Sequence, residues 1–181
     1  SDEYEFYVQD AWQLRSNLTL TAGVRYVALL DSDDLWLPEK LERQVAILEA
    51  RPEVALLFGA PLYWFGWTGR PEDGERDYVI DLKIPPERVY EPPSLLLSFL
   101  RRAAPTPCPS DVLVRREAAE HVGGFEAHFV GVNMVYEDQA FFSKLLIHFP
   151  AFASGQTWDR YRQHPESCYA VSKASGGREL A

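Results

Sequence analysis

Residues 27–42, VALLDSDDLWLPEKLE, set an apolar run directly against three closely spaced aspartates and then begin a helical pattern. We predict a short buried strand over Val27–Leu30. A helix is predicted to begin near Pro38, because the missing N–H of proline does no harm in a first helical turn. The stripe that this helix buries is predicted to be Leu41, Val45 and Leu48. A carboxylate cluster at a strand end repels itself, so water, a helix N-terminus or a metal ion must compensate it.

The chain after this stretch alternates strands with helices, which is the pattern of an α/β fold. Strands are predicted at residues 54–58, 62–67, 111–114 and 151–154. Helices are predicted at residues 92–102, 117–121 and 137–149, and a polar Gly/Pro loop at 68–77. In the last helix, the residues expected on or near the buried side are Phe141, Leu145, Ile147 and His148.

The chain before Val27 has a different character. Apolar and polar residues alternate with period two from Tyr4 to Leu14 and again from Leu18 to Tyr26, on either side of a polar turn at residues 15–17. This alternation predicts a β-hairpin. Because an exposed apolar β-edge promotes association, we expect the chain to self-associate through this hairpin.

Composition restricts the possible functions. With 181 residues, 46% of them hydrophobic and 25% charged, the chain is long enough for one globular domain with its own core. A formal net charge of -9 argues against general nucleic-acid binding, which needs a basic surface. No apolar stretch approaches the ~20 residues of a membrane-spanning helix. Cys108 and Cys168 form neither a zinc-ligand spacing nor a disulfide framework, so we expect a reducing compartment.

Asp31 and Asp33, one residue apart at the end of the predicted strand, are the first candidates for chemistry. Two carboxylates in this position can hold a divalent cation, which in turn neutralises the oxygens of a diphosphate. Oxygen ligands suit a hard metal such as Mg or Mn. Asp34 can instead stabilise a turn or the start of the helix. The alternative is that all three are ordinary loop and cap residues, which is the more common meaning of an isolated D-x-D.

Four segments that follow one another along the chain favour the metal-site interpretation of Asp31 and Asp33 over the loop-and-cap alternative. They are the D-x-D segment at 30–42, the segment 112–126 that ends in VGGFE, the segment 136–139 with the sequence YEDQ, and the segment 158–167 with the sequence WDRYRQHPES. Together they resemble family 2 glycosyltransferases of the GT-A fold over about residues 27–170. The resemblance implies a partial, doubly wound GT-A domain that transfers a sugar, with inversion, from a nucleotide-sugar donor to an acceptor hydroxyl.

The same resemblance implies a role for each matching residue. Asp138 is the expected catalytic base, with Glu137 beside it. The expected metal ligands, for Mg or Mn, are Asp31, Asp33 and His164. The expected donor-binding residues are Asp31, Asp33, Arg160 and Arg162, and the expected acceptor-binding residues are Gly123, Gly124 and Phe125. The implied partners are a nucleotide sugar and a saccharide or lipid-linked acceptor, with a location in the cytoplasm or at the periphery of the inner membrane.

Several of these residues keep an alternative. Glu137 and Asp138 can be acids at a helix N-terminus that complement the helix dipole, which is the more common role of an isolated pair. His164 can contact the diphosphate together with the two arginines instead of completing the metal site. Gly123-Gly124 most simply marks a turn. Aromatic residues more often belong to the core than to a sugar or base site, and this applies to Trp64, Trp67 and Trp158.

The resemblance is incomplete at its N-terminal side. The family places roughly a hundred residues of nucleotide-binding structure before the D-x-D strand, whereas residues 1–26 resemble a hairpin of TonB-dependent outer-membrane receptors. We therefore expect a hairpin foreign to the fold at 1–26, a truncated glycosyltransferase domain at 27–171 and a loose tail at 172–181. Nucleotide binding and sugar transfer are expected to be impaired. The competing interpretations are a non-catalytic remnant or interaction module, and an outer-membrane receptor fragment.

Overall fold

The computed structural model describes residues 10–15, 18–22, 25–126, 136–167 and 170–171 of the chain. For residues 10–15 and 18–22 it describes the backbone alone. The predicted tail at 172–181 and the start of the predicted hairpin at residues 4–9 lie outside the described residues.

The strands and helices of the described residues follow one another along the chain. The strands are β1 (Asp10–Arg15), β2 (Leu18–Ala22), β3 (Tyr26–Ala28), β4 (Leu35–Trp36), β5 (Leu56–Phe58), β6 (Leu62–Trp64), β7 (Tyr78–Val79), β8 (Arg88–Tyr90), β9 (Leu113–Arg115), β10 (Ala151–Ala153) and β11 (Asp159–Arg162). The helices are α1 (Lys40–Glu49), α2 (Pro71–Gly74), α3 (Ser94–Leu100), α4 (Arg116–His121) and α5 (Glu137–His148). Short 3-10 turns cover Gly66–Thr68 and Pro109–Asp111.

The strands that follow the hairpin form two mixed sheets. The larger sheet has the order β3-β9-β5-β10-β8, in which β10 runs parallel to β5 and the other neighbours are antiparallel. The smaller sheet has the order β4-β11-β6-β7, in which β11 runs parallel to β6. Helices alternate with these strands along the chain, so the predicted α/β class is confirmed.

The predicted N-terminal hairpin is confirmed in the described backbone. β1 pairs with β2 in antiparallel fashion, and among the described residues the two strands form a sheet of their own. The second strand ends at Ala22 and does not continue to Tyr26 as predicted. Tyr26 instead begins β3, where it lies opposite Arg115 of β9.

The core covers both faces of the larger sheet. Successive side chains of a strand point to opposite faces, and all three residues of β5 are buried. Leu57 packs on the same side as Leu48 of α1, whereas Leu56 and Phe58 pack on the side of Phe141 from α5. A strand covered on both faces reads as a continuous apolar run, which is why the position of this strand is visible in the sequence.

Of the three residues predicted for the buried stripe of helix α1, Leu48 alone is fully buried. The buried residues of this helix are Lys40, Gln44 and Leu48. Leu41 is 42% exposed, and Val45 is half-buried. The spacing of the buried residues is helical, but two of the three are polar, because buried hydrogen-bond partners on neighbouring segments take the place of apolar contacts.

Other boundaries also differ from the prediction. The strand predicted at Val27–Leu30 is half-buried, ends at Ala28 and lies at an edge of its sheet. Ile147 and His148 are exposed, so placing them on or near the buried side of α5 was wrong, whereas Phe141 and Leu145 are buried as predicted. The polar loop predicted at 68–77 contains the short helix α2.

Gly59 marks a close approach of two backbone segments at the end of β5. A Cβ atom at this position would lie 2.4 Å from the carbonyl oxygen of Gln156 and 2.8 Å from the indole of Trp158. We expect Gly59→Ala to lower the free energy of unfolding by roughly 1–3 kcal/mol, because neither a backbone oxygen nor a buried indole can move aside cheaply. Urea denaturation checks this, with Gly74→Ala as the control.

The control changes the same residue type at an open position. A Cβ atom at Gly74 meets nothing within 4 Å, and the residue lies in a helix. Gly74→Ala is therefore expected to leave stability within about 0.5 kcal/mol or to increase it slightly. Equal losses in the two variants would contradict the packing described at Gly59.

Candidate functional site

The D-x-D loop and the end of β11 meet at one place. Oδ2 of Asp33 lies 2.8 Å from Nε2 of His164, although 131 positions separate the two residues in the chain. Both side chains remain partly accessible, with exposed fractions of 34% for Asp33 and 19% for His164. The structure thus brings together two of the three predicted metal ligands, and the third, Asp31, lies in the same loop.

Asp34 fixes the arrangement of this loop. Its Oδ2 accepts a hydrogen bond from the Ser110 hydroxyl at 2.6 Å, and its Oδ1 accepts one from the backbone N–H of Arg162 at 2.9 Å. The Ser110 oxygen in turn accepts a hydrogen bond from the backbone N–H of Asp31 at 3.0 Å. Asp34 therefore joins the loop of Asp31 and Asp33 to the strand that leads to His164.

The role of Asp34 differs from the helix-start role considered for it. The N-cap residue of α1 is Glu39, and no side chain caps that helix end. Asp34 is only 5% exposed. Burial raises the pKa of its carboxyl to about 7, against the lowering effect of its hydrogen bonds from Ser110 and Arg162.

Ser110 gives a direct test of this connection. Ser110→Ala removes the hydroxyl that bridges Asp34 and the backbone of Asp31. Because it leaves buried polar groups without a partner, we expect a loss of about 1–3 kcal/mol in the free energy of unfolding. Ser98→Ala, at a half-buried serine whose hydroxyl donates to the carbonyl of Ser94 in its own helix, should change stability by less than about 0.5 kcal/mol. Urea denaturation of both variants separates the two cases, and equal effects would argue against the bridge.

Asp138 lies at the start of α5 in an environment that favours its protonated form. Burial raises the pKa of its carboxyl to about 6, and the negative charges of Asp31 and Glu137 add to this effect, against a hydrogen bond from the N–H of Gln139. The influence of Asp31 places the predicted base within electrostatic range of the D-x-D loop. A carboxyl whose pKa lies this close to neutrality suits proton transfer in both directions.

Arg160 and Arg162 share one face of β11, as residues two apart on a strand must. Their guanidinium groups lie over the Trp64 ring at 5.3 and 5.4 Å, and Arg162 also lies 5.3 Å from the Trp67 ring. Trp67 contacts His164 edge-on, with ring centroids 6.3 Å apart. Arg162 is therefore linked to the Asp33–His164 pair through Trp67, whereas Arg160 shares only the contact with Trp64. Trp158, in contrast, is 1% exposed and belongs to the core.

The predicted acceptor-binding segment is a turn packed against α5. Gly123 and Gly124 have φ angles of 79° and 66°, a region that favours glycine, so the turn interpretation is confirmed. Phe125 stacks on Phe141 with ring centroids 4.3 Å apart. Phe141 follows Asp138 by three residues, which places the two on neighbouring positions of one helix face. The segment is thus held near the predicted base, and its role toward an acceptor stays a prediction.

A buried polar network lies below the D-x-D loop, on the inner side of α1. The Lys40 ammonium donates to Oε1 of Gln44 at 2.6 Å, and the Gln44 amide donates to the carbonyl of Asp111 at 2.6 Å. One carboxylate oxygen of Asp111 accepts a hydrogen bond from the N–H of Gly59. Burial lowers the pKa of Lys40 to about 8, against the charges of Asp111 and Asp159. Burial raises the pKa of the Asp159 carboxyl, with the charge of Asp111 adding to the shift.

The raised carboxyl pKa values predict an unusual dependence of stability on pH. A carboxyl whose pKa is raised on folding stabilises the fold fully below its unfolded pKa, near 4, and loses that contribution as the pH rises through its folded pKa. With Asp34 at about 7 and Asp159 also raised, we expect stability in the presence of a chelator to fall between about pH 4 and about pH 7. Urea midpoints across this range measure it.

A neutral variant provides the control for this pH dependence. Asp159→Asn cannot ionise, so its stability should fall less steeply with pH than that of the unmodified chain. Lys40 has a lowered pKa and contributes a slope of opposite sign only above about pH 8. A stability that rises steadily between about pH 4 and about pH 7 would contradict the raised pKa values.

Sequence reasoning missed the buried network and Ser110. The sequence pattern suggested no role for Lys40, and it indicated Asp111 only as the start of a strand. The i, i+4 spacing of Lys40 and Gln44 is visible in the sequence, but polar pairs at this spacing are usually exposed. The signal that would identify such residues is their contact with a distant segment, which a single sequence does not carry.

Comparisons with known proteins add no family assignment. A scan against models of protein families finds no match, and a search of curated proteins finds no relative.

Among the described helices, none combines the length and the apolar character that a bilayer crossing requires.

Proposed function

We propose that this chain is a glycosyltransferase-like domain that supports metal-dependent, inverting transfer of a sugar from a nucleotide-sugar donor to an acceptor hydroxyl. The observation that carries the proposal is the contact of Asp33 with His164, next to Trp67 and Arg162, within electrostatic range of the half-buried carboxyl of Asp138. Three of the four sequence segments that resemble family 2 glycosyltransferases, 30–42, 136–139 and 158–167, contribute residues to this region.

A divalent cation fits the residues that meet there. Asp33 and His164 come from different parts of the fold and already lie at contact distance, so little rearrangement is needed for both to bind one ion. Two carboxylates and one imidazole suit Mn, and the carboxylates also suit Mg. Bound by Asp31, Asp33 and His164, the cation would supply charge neutralisation for the leaving diphosphate.

The protein side chains would perform the remaining tasks. Asp138 would accept the proton of the acceptor hydroxyl, since its raised pKa is still low enough for the carboxylate to be present at neutral pH. Arg160 and Arg162 would bind the phosphate oxygens, for which a planar guanidinium is well suited. Trp64 holds both guanidinium groups in place through their contacts with its ring.

The acceptor and the location belong to the same proposal. The turn at Gly123-Gly124 and Phe125 would contact a saccharide or lipid-linked acceptor, because it is anchored to α5 one helical turn from Asp138. A cytoplasmic location, at the periphery of the inner membrane, agrees with such an acceptor.

Nucleotide-dependent stabilisation tests the proposal. We expect UDP or GDP to raise the melting temperature of the chain in the presence of Mn, and to have no such effect in the presence of a chelator, because a ligand that binds only the folded state stabilises it. The shift is expected to be small, in keeping with the weak nucleotide binding predicted from the sequence.

Two variants test whether the Mn-dependent shift in melting temperature arises at the proposed cation site. Asp33→Asn should remove the Mn-dependent shift, because it removes charge from the cation site. Asp81→Asn should keep the shift, since Asp81 is exposed and its carboxylate accepts a hydrogen bond from Lys83 in its own turn. A nucleotide shift that is unchanged in Asp33→Asn, or absent from the unmodified chain at saturating Mn and nucleotide, would count against a transferase and in favour of a non-catalytic domain.

A further inference from the structure

A second group of potential metal ligands lies deeper in the protein than the Asp33–His164 pair. One carboxylate oxygen each of Asp34 and Asp159 and the Sγ atom of Cys108 lie within 4.8 Å of one another. The three residues come from the D-x-D loop, from the segment before the 3-10 turn at Pro109–Asp111, and from β11. All three are buried.

The state of Asp159 is what distinguishes this group from an ordinary acidic cluster. Asp159 is 0% exposed, yet neither of its carboxyl oxygens accepts a hydrogen bond from an N–H or O–H group in the described part of the chain. One oxygen of the neighbouring Asp111 carboxylate is in the same condition. Buried carboxyl oxygens without a donor are costly, so a proton or a cation must compensate them.

A proton alone compensates only part of the group. A proton held between Asp159 and Asp111 accounts for one oxygen of each carboxyl. The second Asp159 oxygen is still left without a donor, and the carboxyl group still lies next to an Asp34 oxygen and the Cys108 Sγ atom. The Cys108 thiol makes a long contact with Asp34, with Sγ and Oδ2 3.9 Å apart.

We propose that Asp34, Cys108 and Asp159 bind a transition-metal ion of the Zn type. A thiolate with two carboxylates selects Zn or Co over Mg, because the hard ion has little affinity for sulfur. Asp34 can bind the ion and keep its hydrogen bonds from Ser110 and Arg162, since a carboxylate has about four acceptor positions. The thiol and any protonated carboxyl release their protons to solvent when the ion binds.

Such an ion would tie together the segments that build the proposed catalytic region. It would join the D-x-D loop to β11 from the inside, where Asp34 already contacts Arg162. It would occupy a different position from the proposed Mg or Mn site, whose ligands are Asp31, Asp33 and His164. The two sites also differ in chemistry, because only the inner site contains sulfur.

Cobalt provides a spectroscopic test, since a Co-thiolate bond gives a charge-transfer band in the near ultraviolet that carboxylate and imidazole ligands do not give. The full chain is reduced, stripped of metal with a chelator that is then removed, and titrated with Co alone. We expect the band to saturate at one equivalent and to disappear on addition of Zn. Absence of the band in folded, reduced protein would overturn the proposal and leave a shared proton as the explanation.

The two cysteines of the chain form a matched pair of variants. Cys108→Ser should abolish the band, and Cys168→Ser should retain it. A band that is lost in Cys168→Ser and kept in Cys108→Ser would place the metal elsewhere and overturn the proposal. Asp33→Asn should retain the band, so failure of the inner site and failure of the proposed transferase site give different results.

Asp159→Asn supplies a second measurement that does not depend on the cysteine variants. Loss of one ligand is expected to weaken Zn binding by at least about 100-fold, the upper end of what loss of a supporting contact costs. Zn should therefore protect the Cys108 thiol of the unmodified chain from a thiol reagent added with mild denaturant, and protect it much less in Asp159→Asn. Equal protection in the two proteins would contradict the assignment of Asp159.

Discussion

Asp138→Asn is expected to lower the rate of sugar transfer by about 10²–10⁴-fold, the usual contribution of a general base. The amide keeps the shape of the side chain and most of its hydrogen bonding, but it cannot accept a proton at neutral pH. Donor binding should stay nearly unchanged, because the proposed role of the Asp138 carboxyl is proton transfer and not binding of the cation. Initial rates with nucleotide-sugar donors, together with nucleotide-dependent melting temperatures, measure the two effects separately.

Glu137→Gln is the control for this prediction. Glu137 is the adjacent carboxylate, and its negative charge helps to raise the pKa of Asp138. Removing that charge should lower the pKa of Asp138 and move the acidic limb of the pH–rate profile to lower pH, with a much smaller loss of rate. If Asp138→Asn retains the full rate, the base lies elsewhere and the assigned role of the 136–139 segment is wrong.

Lys40→Met is expected to lower the free energy of unfolding by about 3–5 kcal/mol, the cost of leaving a buried charge, that of the Asp111 carboxylate, without the opposite charge that compensates it. The methionine matches the length of the lysine stem, so the loss reports the ammonium group. Without it, Gln44 loses the donor to its Oε1 atom, and the buried carboxylate of Asp111 loses the positive charge that acts to lower its pKa. Urea or guanidinium denaturation near neutral pH measures the change.

Arg43→Met is the matched control on the same helix. Arg43 is exposed, and a single surface charge contributes little to stability. Its removal should change the free energy of unfolding by less than about 0.5 kcal/mol. Similar losses in the two variants would contradict a compensating role for Lys40 in the buried network.

The parts of the fold that sequence predicts well are those governed by local pattern. The apolar run around β5 and the apolar positions of α5 at Phe141 and Leu145 identify buried elements, because burial on both faces of a strand or on one face of a helix leaves a periodic signal. The alternation before Val27 likewise predicts the hairpin. Element boundaries are less accurate, since the end of a short strand depends on its partner: β3 ends at Ala28, where its pairing with β9 stops.

The inner face of α1 could not be predicted in the same way. The apolar pattern favours Leu41 as a core residue, whereas the fold buries Lys40 and exposes Leu41. The reason is the polar lining that α1 meets, which includes the carbonyl and carboxylate of Asp111. That lining is formed by a segment about seventy positions away, and only the folded chain brings the two together.

The candidate site likewise contains some residues that the sequence predicted and others that only the structure reveals. Asp31, Asp33 and His164 were chosen through motif resemblance, and Asp33 and His164 lie in contact. The hydrogen bonds that hold the loop in place, from Ser110 and from the backbone of Arg162 to Asp34, have no counterpart in the motifs. A motif identifies side chains that can perform chemistry, whereas the groups that position them are recognised only from their contacts.

Binding of Mn by the chain tests the central claim most directly, because every proposed step depends on a cation site formed by Asp31, Asp33 and His164. Electron paramagnetic resonance of free Mn during titration counts the bound ions without any assumption about donor or acceptor. We expect one Mn per chain in the unmodified protein, and binding weakened by at least about 10-fold in Asp33→Asn and in His164→Ala, with Asp81→Asn unchanged. Equal Mn binding in all four proteins, or none in the unmodified chain, would contradict the metal-dependent transferase proposed here.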